Sequence, residues 1–262
     1  MSRLKVAVLV ILSFASVGLR GEVMVNDDLG RPVDLEQPAS RIVSLAPHLT
    51  EIVFAAGAGD KLVGVVSYSD YPPAALEIPV IGSYNNINYE ALVALQPDLV
   101  LVWNSGNGPE LAERLQGLGL NVFVSEPKRL PDIARSLNKI GTLSGTLPVA
   151  EQAAADYLSR YQALKVNNSN KAQVKVFIEL WHEPMMTVNG THIISDSIEL
   201  CSGVNIFADA IPLVPRINVE SVVRGDPDVI IATGMADERP EWLDNWLIWP
   251  DLSALNRKVC SV

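Results

Sequence analysis

The run Asn88 to Leu101, NYEALVALQPDLVL, returns in altered form 130 positions later as Asn218 to Ile231, NVESVVRGDPDVII. Five of the fourteen positions are identical: the leading asparagine, the glutamate two further on, a valine, and the Pro-Asp pair that precedes an aliphatic stretch. In each copy the asparagine side chain can accept from free amides of the next turn, and the glutamate stands near the positive end of a helix. A short amphipathic helix is expected, stopped by Pro97 or Pro227 and followed by an apolar run long enough for one buried strand. An element duplicated at this separation implies two similar lobes, and two lobes imply a cleft. Convergence is the competing account, because any α/β chain can reach the same helix-Pro-Asp-strand grammar.

Strand and helix patterns alternate on both sides of one long helical segment. In the first half, strands are expected at Arg41 to Leu45, Leu62 to Val66, Val80 to Ile81, Leu99 to Trp103 and Val122 to Val124. Thr50 or the loop before it opens a helix, and further helices are expected over 89–95, 109–117 and 131–141. That order points to parallel strands joined by helical crossovers. Thr146 to Val166 is the longest helical pattern. Ala150, Ala153, Ala154, Tyr157, Leu158, Tyr161 and Leu164 recur at intervals of three and four, with Thr146 as cap and Pro148 in the first turn. A second alternation follows, with strands Val174 to Leu180 and Val229 to Thr233 and helices through Ser195 to Cys201 and over 219–224. A helix of about 20 residues spans about 30 Å, enough to join two small lobes as a stiff rod that opposes large hinge closure. The expected fold is α/β, with two Rossmann-like lobes of parallel sheet joined by one long helix. Its divisions are a first lobe over 22–145, a bridging helix over 146–168 and a second lobe over 169–262.

The first 21 residues read as an export signal: Arg3 and Lys5 precede Val6 to Val17, an apolar stretch of 12 residues interrupted only by two serines. It is too short to span a bilayer comfortably. No cysteine stands near that end for lipid anchoring, so the expected product is free in the periplasm. Without residues 1–21 the chain holds 17 basic against 30 acidic residues, a balance that argues against nucleic acid and anionic membranes. Cys201 and Cys260 could pair in an oxidising compartment, which their spacing alone leaves open.

Ligands on open parallel sheets gather beyond the carboxyl ends of the strands. Aromatic residues stand at several such positions: Tyr68 and Tyr71 after the second strand, Tyr84 after the third, Trp103 on the Leu99 strand and Trp181 on the first strand of the second half. A buried aromatic removes about 150–250 Å² from water, so a few of them can drive binding of a large flat ligand. The competing account is that these rings seal strand ends against helices. Catalytic patterns are poor: His48, His182 and His192 are the three histidines, and none has H-E-x-x-H spacing. Gly57-Ala58-Gly59 lacks the third glycine of a dinucleotide loop, and neither a P-loop nor G-x-S-x-G occurs.

The segments SLAPHLTEIVFAAGAGDKLVGVVSYSDYPP, NYEALVALQPDLVLVW and ELCSGVNIFAD resemble signatures of the helical-backbone substrate-binding proteins that serve ABC importers, above all the cobalamin-binding members. The resemblance covers roughly Arg41 to Thr233. It implies a cobalamin-like corrinoid as transported ligand, with no cofactor of the protein's own and no catalysis. It also implies a monomer that delivers its cargo to a permease dimer with ATPase subunits. Carried over, Tyr68, Tyr84 and Trp103 would line the cleft from the first lobe, and Trp181 and Met186 would lie in the corresponding second-lobe segment. Glu90 and Glu220 would pair with permease arginines.

Two departures qualify the match. A tryptophan that some cobalamin binders place six residues before the second glutamate is Val214 here. The family pattern also continues beyond Val262, through a loop and a closing helix that carries the usual partner of the cysteine matching Cys201. The second lobe is therefore expected to be incomplete and the two cysteines unpaired. Within the same fold the alternative ligands are haem, with His48 or a cleft tyrosine as axial ligand, and a ferric siderophore, with Arg216 as the basic group. From another class, an exported enzyme would use His182 and Glu183 as an acid/base pair, without an accompanying nucleophile or metal set.

Overall fold

The computed structural model describes residues 23–233 and 240–256. The expected export signal and Cys260 lie outside them. The polar start forms a hairpin that the sequence does not announce, β1 (Val23–Asn26) paired antiparallel with β2 (Pro32–Leu35). There follow β3 (Ile42–Ser44), α1 (Pro47–Ala55), β4 (Leu62–Gly64), the short antiparallel pair β5 (Gly82–Ser83) and β6 (Asn86–Ile87), and α2 (Tyr89–Ala94). Next come β7 (Leu99–Trp103), α3 (Asn104–Asn107), α4 (Glu110–Gly117), β8 (Val122–Ser125), α5 (Leu130–Ser144) and α6 (Leu147–Asn168). The second lobe holds β9 (Val174–Glu179), α7 (Ile193–Leu200), β10 (Gly203–Asn205), α8 (Val219–Gly225), β11 (Val229–Ala232) and α9 (Ser253–Asn256).

Each lobe is built on a parallel sheet, ordered β4-β3-β7-β8 in the first and β10-β9-β11 in the second. Side chains on a strand alternate between faces, and β7 shows the consequence. Leu99 and Leu101 enter one core with α1 and α5, while Val100 and Val102 enter the other with Leu92 of α2 and Leu115 of α4. Trp103 shares the parity of Leu99 and Leu101, so it emerges at the carboxyl end of the sheet on the α1/α5 side. In β9, Val176 and Ile178 pack with Ile198 of α7, whereas Phe177 packs with Val222 of α8 and with Trp246.

The repeat is structural as well as textual. Asn88 Oδ1 accepts from Ala91 N and Asn218 Oδ1 from Ser221 N, both at 3.0 Å. Leu92 and Val222 are the fully buried residues of their helices. Gln96 and Asp226 both leave the helix with positive φ, +46° and +44°. Asp98 then accepts from the main-chain nitrogen of Arg41, as Asp228 does from that of Lys175. The side chains of those two cations cover the helix-terminal carbonyls: Arg41 reaches Leu95 and Gln96, and Lys175 reaches Gly225 and Asp226. Such cations complement the negative end of a helix.

Helix α6 carries the chain from one lobe to the other. Its first turns lie close on α5, where a Cβ at Gly141 would sit 2.3 Å from that of Ala150. Of the expected apolar stripe, Ala150 and Ala154 are buried, but Leu158 and Leu164 are exposed, because α6 has left the first-lobe core by that point. Thr146 does not cap α6 with its side chain; its hydroxyl donates to Ala56 O at 2.6 Å. The first helix opens at Pro47, in the loop before Thr50, and Val80 forms one isolated bridge to Val65 rather than a strand with Ile81. No helix among the described residues is long and apolar enough to cross a membrane.

Candidate functional site

A cavity of about 930 Å³ opens beyond the carboxyl ends of the first-lobe strands and reaches the second lobe. His48 and Trp103 line it from α1 and β7, Tyr157 from α6, and Thr191, His192 and Ile193 from the start of α7. These positions follow from the fold: β3 and β7 deliver their successors to one end of the sheet, and α6 runs past that end.

His48 and Trp103 meet edge to face, with centroids 5.1 Å apart and planes at 87°. Nε2 of His48 is buried without a hydrogen-bond partner, and burial lowers the ring's pKa from 6.5 to about 4, so the imidazole is neutral at ordinary pH. A side chain at Gly106 would place its Cβ 1.8 Å from the Trp103 ring, so the absence of one lets the indole lie flat on the loop. Asn107 organises the surroundings. Its Oδ1 accepts from Trp103 N at 2.7 Å, and its Nδ2 donates to Leu45 O at 2.9 Å and Tyr84 O at 2.5 Å. One amide thereby joins the ends of β3 and β7 to the β5–β6 turn. The sequence gives no sign of this role, since a lone asparagine in NSGN reads as a turn residue.

On the far side the lobes touch directly. Asp196, buried in the first turn of α7, receives Arg129 at 2.6 Å on Oδ1 and Leu130 N at 2.7 Å on Oδ2. Tyr157 of α6 donates to Leu130 O at 3.0 Å, so three helices are pinned at one point. Burial raises the Tyr157 pKa first, with Asp196 adding to it, and burial lowers that of His192 against the opposing pull of Glu126.

The other expected ligand residues stand apart from this lining. Tyr68 is two-thirds exposed with φ +67°, a left-handed conformation unusual for an aromatic residue, and Tyr84 is also exposed. Tyr71, from the same loop as Tyr68, does line the cavity. Trp181 and Met186 pair across a tight turn after β9, and Met186 also bridges Arg216. Arg216 does not line the cavity, whose cations are Lys128 and Arg160. His182 partners Glu179 and not Glu183: Nδ1 lies 2.6 Å from the fully buried Glu179, whose other oxygen accepts from Trp246 Nε1 at 2.9 Å. The parity of β9 puts Glu179 on the Trp246 face, whereas Glu183 is exposed in the turn. Glu90 and Glu220 are both exposed at the starts of α2 and α8, away from the cavity lining. Among the described residues there is no cluster of three or more His, Cys, Asp or Glu arranged to hold a metal ion. Cys201 is exposed and has no disulfide partner among the described residues.

Residues 42–256 match the family described as periplasmic binding protein. The vitamin B12-binding protein of Vibrio cholerae serotype O1 is 40% identical over 196 residues, covering 75% of this chain and 71% of that protein. The crystal structure of the periplasmic vitamin B12 binding protein BtuF of Vibrio cholerae superposes with a TM-score of 0.76 at 38% identity, over 84% of this chain and 85% of that one. The periplasmic heme-binding protein RhuT from Roseiflexus sp. RS-1 superposes with a TM-score of 0.73 at 24% identity, over 83% of this chain and 86% of that one, a likeness of fold.

Proposed function

Because the chain belongs to the periplasmic binding protein family, we propose that it captures a cobalamin-like corrinoid in the periplasm and delivers it to an ABC importer. The observation that carries this reading is the 40% identity, over 196 residues, to a protein named for binding vitamin B12. The corrinoid is cargo, held without covalent chemistry. In this reading Trp103 and His48 form the floor of the site, Tyr68 and Tyr84 cover the ligand from the first lobe, and Trp181 and Met186 approach it from the second. The protein works as a monomer, and Glu90 and Glu220 meet the permease dimer and its ATPase subunits.

Equilibrium dialysis against cyanocobalamin, dicyanocobinamide and haem, read by absorbance, tests the assignment. Retention of both corrinoids and passage of haem is the expected result. Retention of haem alone would move the function to the second reading, which the neutral, cavity-lining His48 favours as an axial ligand.

A further inference from the structure

Charge is unevenly distributed around the cavity. Four carboxylates line it, Asp28, Glu51, Glu126 and Asp156, against two cations, Lys128 and Arg160. Asp28 is engaged within the protein, its Oδ1 on Lys139 at 2.7 Å and its Oδ2 on Glu126 N at 2.8 Å. The other three belong to no ion pair among the described residues. They come from separate elements: Glu51 from α1, Glu126 from the end of β8, and Asp156 from α6. Glu126 accepts from Ser105 N on Oε2 alone, and Asp156 from Gln152 on Oδ1 alone, so each keeps an oxygen for another donor.

A carboxylate only accepts hydrogen bonds, a primary amide offers two N–H donors, and a second carboxylate offers none and adds like charge. Resting on the corrinoid reading, we propose that Glu51, Glu126 and Asp156 select the ligand by the amidation of its side arms, holding primary amides and repelling free carboxylates. Lys128 and Arg160 leave a place for a single anionic group, such as one phosphodiester, but not for a ring of acids. Burial raises the pKa of Glu51, and Asp70 raises it further.

Three dicyano-corrinoids separate the effects in equilibrium dialysis at low ionic strength: cobinamide with amide arms, cobyrinic acid with carboxylate arms, and its methyl ester with neutral arms that lack N–H. Cobinamide should bind tightest, the ester less tightly, and the acid at least about tenfold more weakly than cobinamide. The deficit of the acid should shrink in about 0.5 M salt, because rim charges are screened. Glu51→Gln, Glu126→Gln and Asp156→Asn combined, with folding checked by circular dichroism, should bring cobinamide and cobyrinic acid to within about threefold of one another. Equal binding of acid and amide by the unaltered protein would overturn the proposal, as would an unchanged ratio in the triple variant. If neither cobinamide nor cyanocobalamin binds at all, the corrinoid reading itself falls and the proposal with it.

Discussion

Asn107 accepts the main-chain N–H of Trp103 at 2.7 Å while its own amide nitrogen serves the carbonyls of Leu45 and Tyr84. The position of the indole is thus set by a side chain outside the cavity lining. Asn107→Ala removes three hydrogen bonds at about 1 kcal/mol each. The variant should remain folded, lose about 2–3 kcal/mol in urea unfolding, and bind corrinoid about tenfold more weakly. Asn107→Asp keeps the acceptor for Trp103 N but sets a carboxylate oxygen against the carbonyls of Leu45 and Tyr84, so calorimetry should show no recovery of affinity.

Trp103 lines the cavity, and the lack of a side chain at Gly106 gives the indole its seat. Trp103→Ala should weaken binding by about 2–4 kcal/mol, the loss seen for a strong aromatic anchor. Gly106→Ala keeps the indole but drives a methyl group into its ring, so it should reproduce much of that loss. Calorimetry on both decides the point: normal affinity of Gly106→Ala would show that the indole is free to move.

His48 makes stability depend on acid. In the unfolded chain the ring takes up a proton near pH 6.5, whereas in the folded protein burial delays this to about 4. Between those values the unfolded state binds more protons, so the contribution of the neutral ring is complete above about pH 6.5 and is lost as pH falls towards 4. The loss is on the order of 3 kcal/mol at most. Urea unfolding at pH 7 and pH 4.5 should show a smaller acid penalty for His48→Gln than for the unaltered protein.

Asp196 ties α7 to the start of α5 from a buried position. Asp196→Ala leaves Leu130 N without its partner and frees Arg129, at a cost of about 2–4 kcal/mol. Hydrogen exchange should rise at residues 129, 130 and 132 and at 192–196 together, since one side chain holds both. Faster exchange in only one of the two segments would mean that other contacts bind the lobes there.

The local grammar of this fold is legible in the sequence, and its long-range part is not. The Asn caps, the Pro stops and the β7 strand with its final tryptophan all follow from neighbouring residues, and the structure has them within a residue or two of the expected bounds. Arg41 and Lys175 complete the repeat from more than forty residues away, so no window of sequence joins them to the carbonyls they cover. The exposed Leu158 and Leu164 misled for a related reason: periodicity reports which residues share a helix face, but not whether anything stands opposite. In the site, Tyr71 and Trp103 at strand ends were visible, although Tyr68, Tyr84 and Trp181, read the same way, stand outside the cavity lining. Asn107 and the three rim carboxylates were not, because their roles exist only where several loops converge.

Glu90 and Glu220 are two residues past equivalent Asn caps, at the exposed starts of α2 and α8. Neither belongs to the cavity lining. In the proposed docking role, one acid on each lobe gives two anchors, on lobes joined by α6 and by the Arg129–Asp196 contact. Such a pair suits a permease of two similar subunits with matching arginines. An exposed ion pair is worth about 0–1 kcal/mol, but truncating one that is desolvated at an interface costs about 2–5 kcal/mol. Replacing both glutamates by alanine should therefore leave corrinoid affinity in solution unchanged while capture by reconstituted permease falls at least about a hundredfold. Charge reversal of the permease arginines should restore capture by a Glu90→Lys, Glu220→Lys protein only if these residues meet across the interface. Normal capture by the double alanine variant would leave the two acids as ordinary helix-start residues.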